Sequence, residues 1–587
     1  MNLYAGKLLV VDLSTGQISK EPLRKDWIKA YWGCWGLAVR YYWDLVVPQV
    51  DPLSPENPVI IMTGPLCGTS APMTSRFNLV SKSPQSGTIF SSSTGGSFGP
   101  ELKFAGYDGI IVKGAAKELT YLKIINDQVS LESAHSLVGK GIFKTEELLQ
   151  SAVGTPEAKV LAIGPAGENM VSHACIGTEA YRQMGRSGGG AILGSKKFKA
   201  ILVRGTGGIK VADMPTFIEK VNEYKKTDLL TEDNLWAKTD GTSMLMDAIN
   251  EMGAHPTRNF SYGVNEAKDG INSEAIKAAK LGDRACSSCP LACGKFTCIN
   301  GAEIEGPEYE TLCLGGSNCE INDLEQIIRF NRLCDDLGLD TISCGNIIGL
   351  AMDMTEKGRH DFNLKFGEPV EYLKVVTEIA TLSTKRGKDL ALGAKKLGAK
   401  YNSLDLTSEC KGLEFPAYEP RANYGMGLAY ATSERGGCHL RAFPMFSETP
   451  FDPEAMAQEV VDGQNFATIK WSMGFCDFWG SISAPIIADI FSVATGETVT
   501  VEQLEHSGEK IWNILRLFNL RAGITKEDDY LPVKQLKQQL QKGTHAGRVF
   551  APEDFDRCLA LYYQKRGWDK NGVPTPEKLA HLGLDQF

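Results

Sequence analysis

The stretch "RACSSCPLACGK", residues 284–295, places Cys286, Cys289 and Cys293 in a C-x2-C-x3-C spacing. Cysteines at such short intervals are metal-site chemistry. Four-cysteine zinc sites usually come as two C-x2-C pairs, and no second pair follows here. A compact trio with one remote partner suits a four-iron cluster, in which each iron takes one thiolate. Spacing leaves the fourth ligand open among Cys298, Cys313, Cys319, Cys344, Cys438 and Cys476. The N-terminus, "MNLYAGKLLVVDLSTGQ", lacks the basic start, apolar core and cleavage site of a signal peptide. A cytoplasmic chain is therefore expected, with its 15 cysteines as thiols or metal ligands.

The elements that must hold such a site follow from the rest of the chain. At roughly 100–200 residues per domain, a chain of 587 residues makes two to four domains. The net charge of −9 argues against nucleic acid as the main partner. No stretch approaches the apolar length of a membrane span. Residues 1–206 carry short apolar runs between glycines: "KLLVVDL", "VIIMTG", "GIIVKG", "YLKIIND", "VLAIGPAG" and "KAILVRG". Uninterrupted apolar runs predict strands covered on both faces. The glycine-dense "SSSTGGSFG" and "GRSGGGAILG" fit a backbone that turns tightly or approaches a ligand closely. Residues 207–408 shift to helical periodicity. "NDLEQIIRFNRLCDDLG" predicts a helix capped by Asn322 and ended by Gly338. The basic run 385–400 predicts a solvated helix face, with a docking patch for an acidic partner as the sharper alternative. Residues 409–587 are mixed and mainly helical.

Ten ordered blocks then carry a resemblance over nearly the whole chain. Among them are "GPLCGTSAPMTSRFNLVSKSP", "ELKFAGYDGIIVKG", "AIGPAGEN", "GRSGGGAILGSKKFKAI", "CSSCPLACG", "EGPEYET", "LGLDTIS", "RGGCH", "RLFNLRAG" and "YYQKRGWDKNGVPT". On these the chain resembles the tungsten-containing aldehyde:ferredoxin oxidoreductases. The resemblance implies an α+β multidomain fold: a β-rich N-terminal base domain, then two mainly α-helical domains, with the cofactor at their interface. The implied cofactors are tungsten (or molybdenum) held by two pyranopterins, Mg2+ bridging the pterin phosphates, and one [4Fe-4S] cluster.

It also assigns residues. Cys476, in "WSMGFCDFW", matches the fourth cluster ligand beside Cys286, Cys289 and Cys293. Arg76 matches the arginine between cluster and pterin, where a guanidinium would link the two redox centres. Ser93 and Gln183 match residues whose carbonyls bind magnesium, and Arg182 and Arg186 suit phosphate. Asp335 and Asp340 match the aspartates that hold the pterin ring through its N–H groups. Arg435 and Arg441 match basic cofactor contacts, and Gly95, Gly185, Leu339, Phe475 and Asp477 complete the implied binding set. Glu310 is the implied general base, and His439 the hydrogen-bond partner of the substrate oxygen.

The expected reaction is oxidation of an aldehyde, with electrons leaving one at a time through the cluster to ferredoxin or an iron–sulfur partner subunit. Two alternatives are an aromatic acyl-CoA thioester as substrate and a relay or scaffold protein keeping only the cluster. Two departures from the family stand out. Trp471 occupies the place of a pterin-binding aspartate, and its indole cannot accept a hydrogen bond; Asp477 is a candidate replacement. Arg329 and Arg332 occupy the positions of a Glu-x-x-His metal site between subunits. Any homo- or hetero-oligomer is therefore expected to form without that metal.

Overall fold

The computed structural model describes residues 1–447 and 451–587. Strands β1 (Lys7–Asp12), β2 (Gln17–Pro22), β3 (Val59–Thr63), β4 (Phe77–Lys82), β5 (Ile89–Thr94) and β6 (Gly109–Lys113) form one sheet, in the order β2-β1-β6-β3-β4-β5. Strands β7 (Thr120–Ile125), β8 (Gln128–Ser133), β9 (Lys159–Ala162), β10 (Ile176–Thr178), β11 (Arg182–Met184) and β12 (Phe198–Arg204) form the second, in the order β11-β10-β9-β12-β7-β8. Each predicted apolar run is a strand. The runs lack alternation because both faces are covered, as the period of two shows. Leu9, Val11, Ile61 and Leu79 pack with Leu122, Leu161 and Ile201 of the other sheet. Leu8, Val10, Ile60 and Val80 turn the opposite way, toward Trp35, Val39 and Tyr42 of the helix Cys34–Leu45.

Beyond residue 206 helices dominate, among them Leu324–Leu337, Thr341–Glu356, Pro453–Met473, Val501–Arg521 and Pro552–Arg566. Gly338 ends the first of these at φ 78°, as predicted. Its N-cap is Asp323 and not Asn322: the Asp323 carboxylate accepts from Glu325 N at 2.9 Å. The Asn322 amide is used elsewhere, by the Glu320 carbonyl and the Asn265 side chain. The basic run breaks at Gly393 into two short helices, Lys385–Leu390 and Ala394–Lys400. Lys385 and Lys400 pair with Asp389, and Arg386 with Glu371 and Glu378. Much of its charge is thus neutralised within the chain.

A three-stranded sheet, β13 (Lys280–Arg284), β14 (Gly294–Ile299) and β15 (Ala302–Glu305), interrupts the helices. The cysteine trio is the loop between β13 and β14. Two glycines bring remote parts together. A Cβ on Gly64 would lie 2.8 Å from the Cα of Gly474, so backbone crosses backbone where the Cys476 segment meets the N-terminal sheet. A Cβ on Gly95 would lie 2.7 Å from the Sγ of Cys286.

Candidate active site

Helix Pro453–Met473 stops at Gly474, which is left-handed at φ 83°. The chain then turns so that Cys476 N donates to the Met73 carbonyl at 2.9 Å. In the β13–β14 loop, Cys289 N donates to Cys286 O at 3.1 Å, and Cys289 Sγ lies 3.1 Å from Met73 Sδ. Burial pushes the Cys289 thiol up to about 11, and Cys476 and Cys286 add to the rise. Burial, then Glu308, Cys476 and Cys286, raise Cys293 as well. The structure thus brings Cys286, Cys289, Cys293 and Cys476 into one another's field. Among the described residues no three His, Cys, Asp or Glu side chains converge as one metal ion would need. A cluster that takes one thiolate per iron requires sulfurs held apart. The other candidates lie elsewhere. Cys313, Cys319, Cys344 and Cys438 are fully buried, and Cys298 sits opposite Glu303 in the β14–β15 pair.

Arg76, just before β4, joins these cysteines to the sheet. Its Nη2 donates to Cys476 Sγ at 3.2 Å and its Nη1 reaches Ser93 Oγ at 3.5 Å. Ser93 stands across from Asn78 on β4. Two residues along β5, on the same face, Ser91 receives Arg435 Nη1 at its carbonyl (2.7 Å) and Arg441 Nη2 at its hydroxyl (2.8 Å). Strand β5 therefore forms a rail from Gly95 beside Cys286, through Ser93 at Arg76, to Ser91 at the two remote arginines.

Arg441 is fixed on three sides. Glu434 pairs with it at 2.6 Å, both side chains being buried. Its guanidinium lies 4.4 Å from the ring centroid of Trp35 and 4.6 Å from that of Trp471. Trp471 Nε1 in turn donates to Asp477 Oδ1 at 2.9 Å. Burial opposes ionisation of Asp477, but Lys470 (2.7 Å away) and Arg76 outweigh it and hold the carboxyl low. Asp477 is thus a charged acceptor whose Oδ2 is buried and without a partner among the described residues.

Glu310 opens the helical turn after β15. Its Oε2 accepts from Ala417 N at 2.9 Å, and its Oε1 stands 3.6 Å from His439 Nε2. The pair is deep in the molecule, yet the two side chains keep 16% and 14% exposure. They therefore face an interior space. Burial, chiefly, pushes Glu310 up to about 8. Burial, then Arg186 and Arg435, press His439 down to about 3, so its imidazole is neutral. Arg186 spends Nη1 and Nη2 on the carbonyls of Gly437 and Glu414 and aims Nε at Asp340, 3.6 Å away. Arg182 pairs with Glu305 at 2.5 Å. Asp335 accepts from Asn331 in the last turn of its helix. Asp340 caps the next helix at Ile342 and Ser343. Gln183 lies on β11, paired with Gly177 of β10, and Gly185 follows near Asp340. Leu339 and Phe475 are buried, Phe475 against Trp479 at 5.8 Å.

Two features mark the space as a ligand site. Ser93, Gly95, Arg76 and Asp477 keep partial exposure inside otherwise buried segments. Around them, Arg76 Nε, both Asn78 amide atoms, Arg435 Nε, Arg441 Nη1, Asp477 Oδ2, Glu310 Oε1 and His439 Nδ1 are buried without hydrogen-bond partners among the described residues. So many orphaned groups in one region would be costly unless something polar fills it. Guanidiniums, the Asn78 amide and carboxylates together fit a large anionic ligand that also carries N–H donors.

Residues 8–205 match the family model "Aldehyde ferredoxin oxidoreductase, N-terminal domain", and residues 217–584 match "Aldehyde ferredoxin oxidoreductase, domains 2 & 3". The chain belongs to the aldehyde ferredoxin oxidoreductase family. It is an oxidoreductase with the β-rich and helical build of that family. The tungsten-containing aldehyde ferredoxin oxidoreductase of Pyrococcus furiosus is 38% identical, over 99% of each chain. The aliphatic sulfonate oxidoreductase, WOR-like subunit, of the same organism is 30% identical over 100% of this chain and 98% of its own. Among solved structures, the BamBC active-site complex of benzoyl coenzyme A reductase with 1,5-dienoyl-CoA superposes with a TM-score of 0.84. That match covers 100% of this chain and 98% of the other, at 24% identity, and shows the fold.

In this family member several site residues escape a reading by motif. Asn78 lies inside the block "GPLCGTSAPMTSRFNLVSKSP", yet nothing in the block marks it. Glu434 sits directly before Arg435 and serves Arg441 instead. Ser91 opens "SSSTGGSFG", where the glycines carry the signal and the serine itself none, and nothing in the segment of Trp35 marks it. No helix among the described residues is long and apolar enough to cross a membrane.

Proposed function

We propose that the chain is the catalytic subunit of a tungstopterin oxidoreductase that converts aldehydes to carboxylic acids, reversibly. Electrons pass one at a time through a [4Fe-4S] cluster to ferredoxin or an iron–sulfur partner subunit. The observation that carries this reading is the Glu310–His439 pair beside an interior space, in the same region as the buried, partnerless donors on Arg76, Arg435 and Arg441. In the proposed division into domains 1–206, 207–408 and 409–587, that space lies where all three meet. A tungsten (or molybdenum) bis-pyranopterin would be held by those arginines, by Asn78 and Asp477, and by Asp335 and Asp340. Ser93 and Gln183 would offer carbonyls to its Mg2+. When bound, that group supplies the two-electron acceptor which aldehyde oxidation requires. Cys286, Cys289, Cys293 and Cys476 would hold the cluster.

An aldehyde and a water yield a carboxylic acid, two protons and two electrons. The Glu310 carboxylate, whose Oε1 has no hydrogen-bond donor among the described residues, would take a proton from water or from the hydrated aldehyde. His439, neutral, can hydrogen-bond the substrate oxygen without bringing a second charge into the site. Arg76 touches both a cluster cysteine and Ser93, so it can stabilise negative charge on either side of the electron exit. A scaffold that kept only the cluster would have no use for the partnerless groups on the far side of β5. The test is Glu310→Gln: aldehyde-dependent dye reduction is lost while tungsten stays bound. Near-normal turnover refutes the base assignment.

A further inference from the structure

Tyr418, buried, packs its ring 5.6 Å from that of His439. Phe443 meets Tyr418 at 4.9 Å and His439 at 6.4 Å, and Phe446 meets Phe443 at 5.7 Å. Exposure climbs along this series, to 39% at Phe443 and 53% at Phe446. The aromatic series therefore runs from the catalytic pair to the surface, where it meets an open groove of about 650 Å³. Phe443, Pro444, Ala455 and Phe466 supply its apolar walls, and Glu459 and Asp462 stand at its side. Glu459 accepts from Ser447, and Asp462 from Gln458 at 2.9 Å; neither pairs with a cation among the described residues. Lys470 reaches to 5.8 Å from the Phe466 ring, but its ammonium is committed to Asp477 at 2.7 Å.

We infer that this groove admits the substrate and selects uncharged, apolar aldehydes, aryl or arylalkyl, over anionic ones. The inference rests on the proposed aldehyde oxidation and deepens it. Phe443 is the ring the substrate must pass or stack on before it reaches Glu310 and His439. Aromatic contact favours a flat apolar group there. Two carboxylates beside the groove, neither paired with a cation among the described residues, raise the local cost of a carboxylate, sulfonate or phosphate.

The test compares benzaldehyde with 4-carboxybenzaldehyde on the holoenzyme, by steady-state dye reduction. The neutral aldehyde is expected to show kcat/KM higher by about tenfold or more, a gap that narrows with added salt. In the double variant E459Q/D462N the ratio of the two kcat/KM values moves toward unity. Phe443→Ala raises KM for benzaldehyde several-fold more than it lowers kcat, and Phe443→Leu lies between. Equal use of the two aldehydes, or a ratio unmoved by the double variant, overturns the inference and leaves aldehyde oxidation standing. No turnover of any aldehyde overturns both.

Discussion

Glu310 sets the pH behaviour expected of the enzyme. A general base works ionised, and burial holds this carboxyl near 8, far above the ordinary carboxylate range. The rising limb of kcat/KM against pH should therefore lie near 8, with activity falling as pH drops below it. A limb near 4–5 would mean that the proton goes elsewhere. His439, pressed down to about 3, should add no limb at neutral pH. Beside Ser91 of β5, the Trp35–Arg441–Trp471 sandwich gives a stability prediction. Trp471→Ala removes a buried ring from beside a buried guanidinium and should cost about 3–5 kcal/mol. Trp471→Phe keeps a ring there and loses mainly the bond to Asp477, at about 1 kcal/mol. Urea unfolding of both variants checks the order. The residue that most departs from the family pattern is thus explained as packing for Arg441 and as a donor that orients Asp477. A motif comparison sees only the missing acceptor, because Trp35, Arg441 and Asp477 are distant along the chain.

At the scale of elements, the β13–β14 loop and the turn after Gly474 are two ends of one proposed ligand set. The Cys476 N–H to Met73, the Arg76–Cys476 contact and the close approach of Gly474 to Gly64 tie the second end to the sheet near the first. Removing iron, or substituting Cys476→Ser, should raise hydrogen exchange in residues 284–295 and 474–479 together. Exchange that rises in one segment alone would argue against a shared cluster. The strands and the cysteine trio were legible in the sequence because their signals are local: an apolar run, a short spacing. The N-cap at Asp323 was missed by one residue because two adjacent side chains both cap well. Which of them does so is decided by Asn265 and Glu320, from other segments.

Across the whole molecule, the two facing sheets pack through one apolar core, and the helical regions bring Glu310, His439 and Cys476 near the edge strand β5. The family and its build were legible because ten blocks run in order from end to end. The groove at Phe443 was not, since its walls come from Phe443, Pro444 and the segment Ala455–Phe466 while its meaning comes from Tyr418, His439 and Glu310. The central claim is that the partnerless groups around β5 exist to hold a pterin-bound metal beside an iron–sulfur cluster. Elemental analysis of the natively purified chain tests it most directly. The account predicts about one tungsten or molybdenum and about four irons per chain. Iron present without tungsten or molybdenum would contradict it.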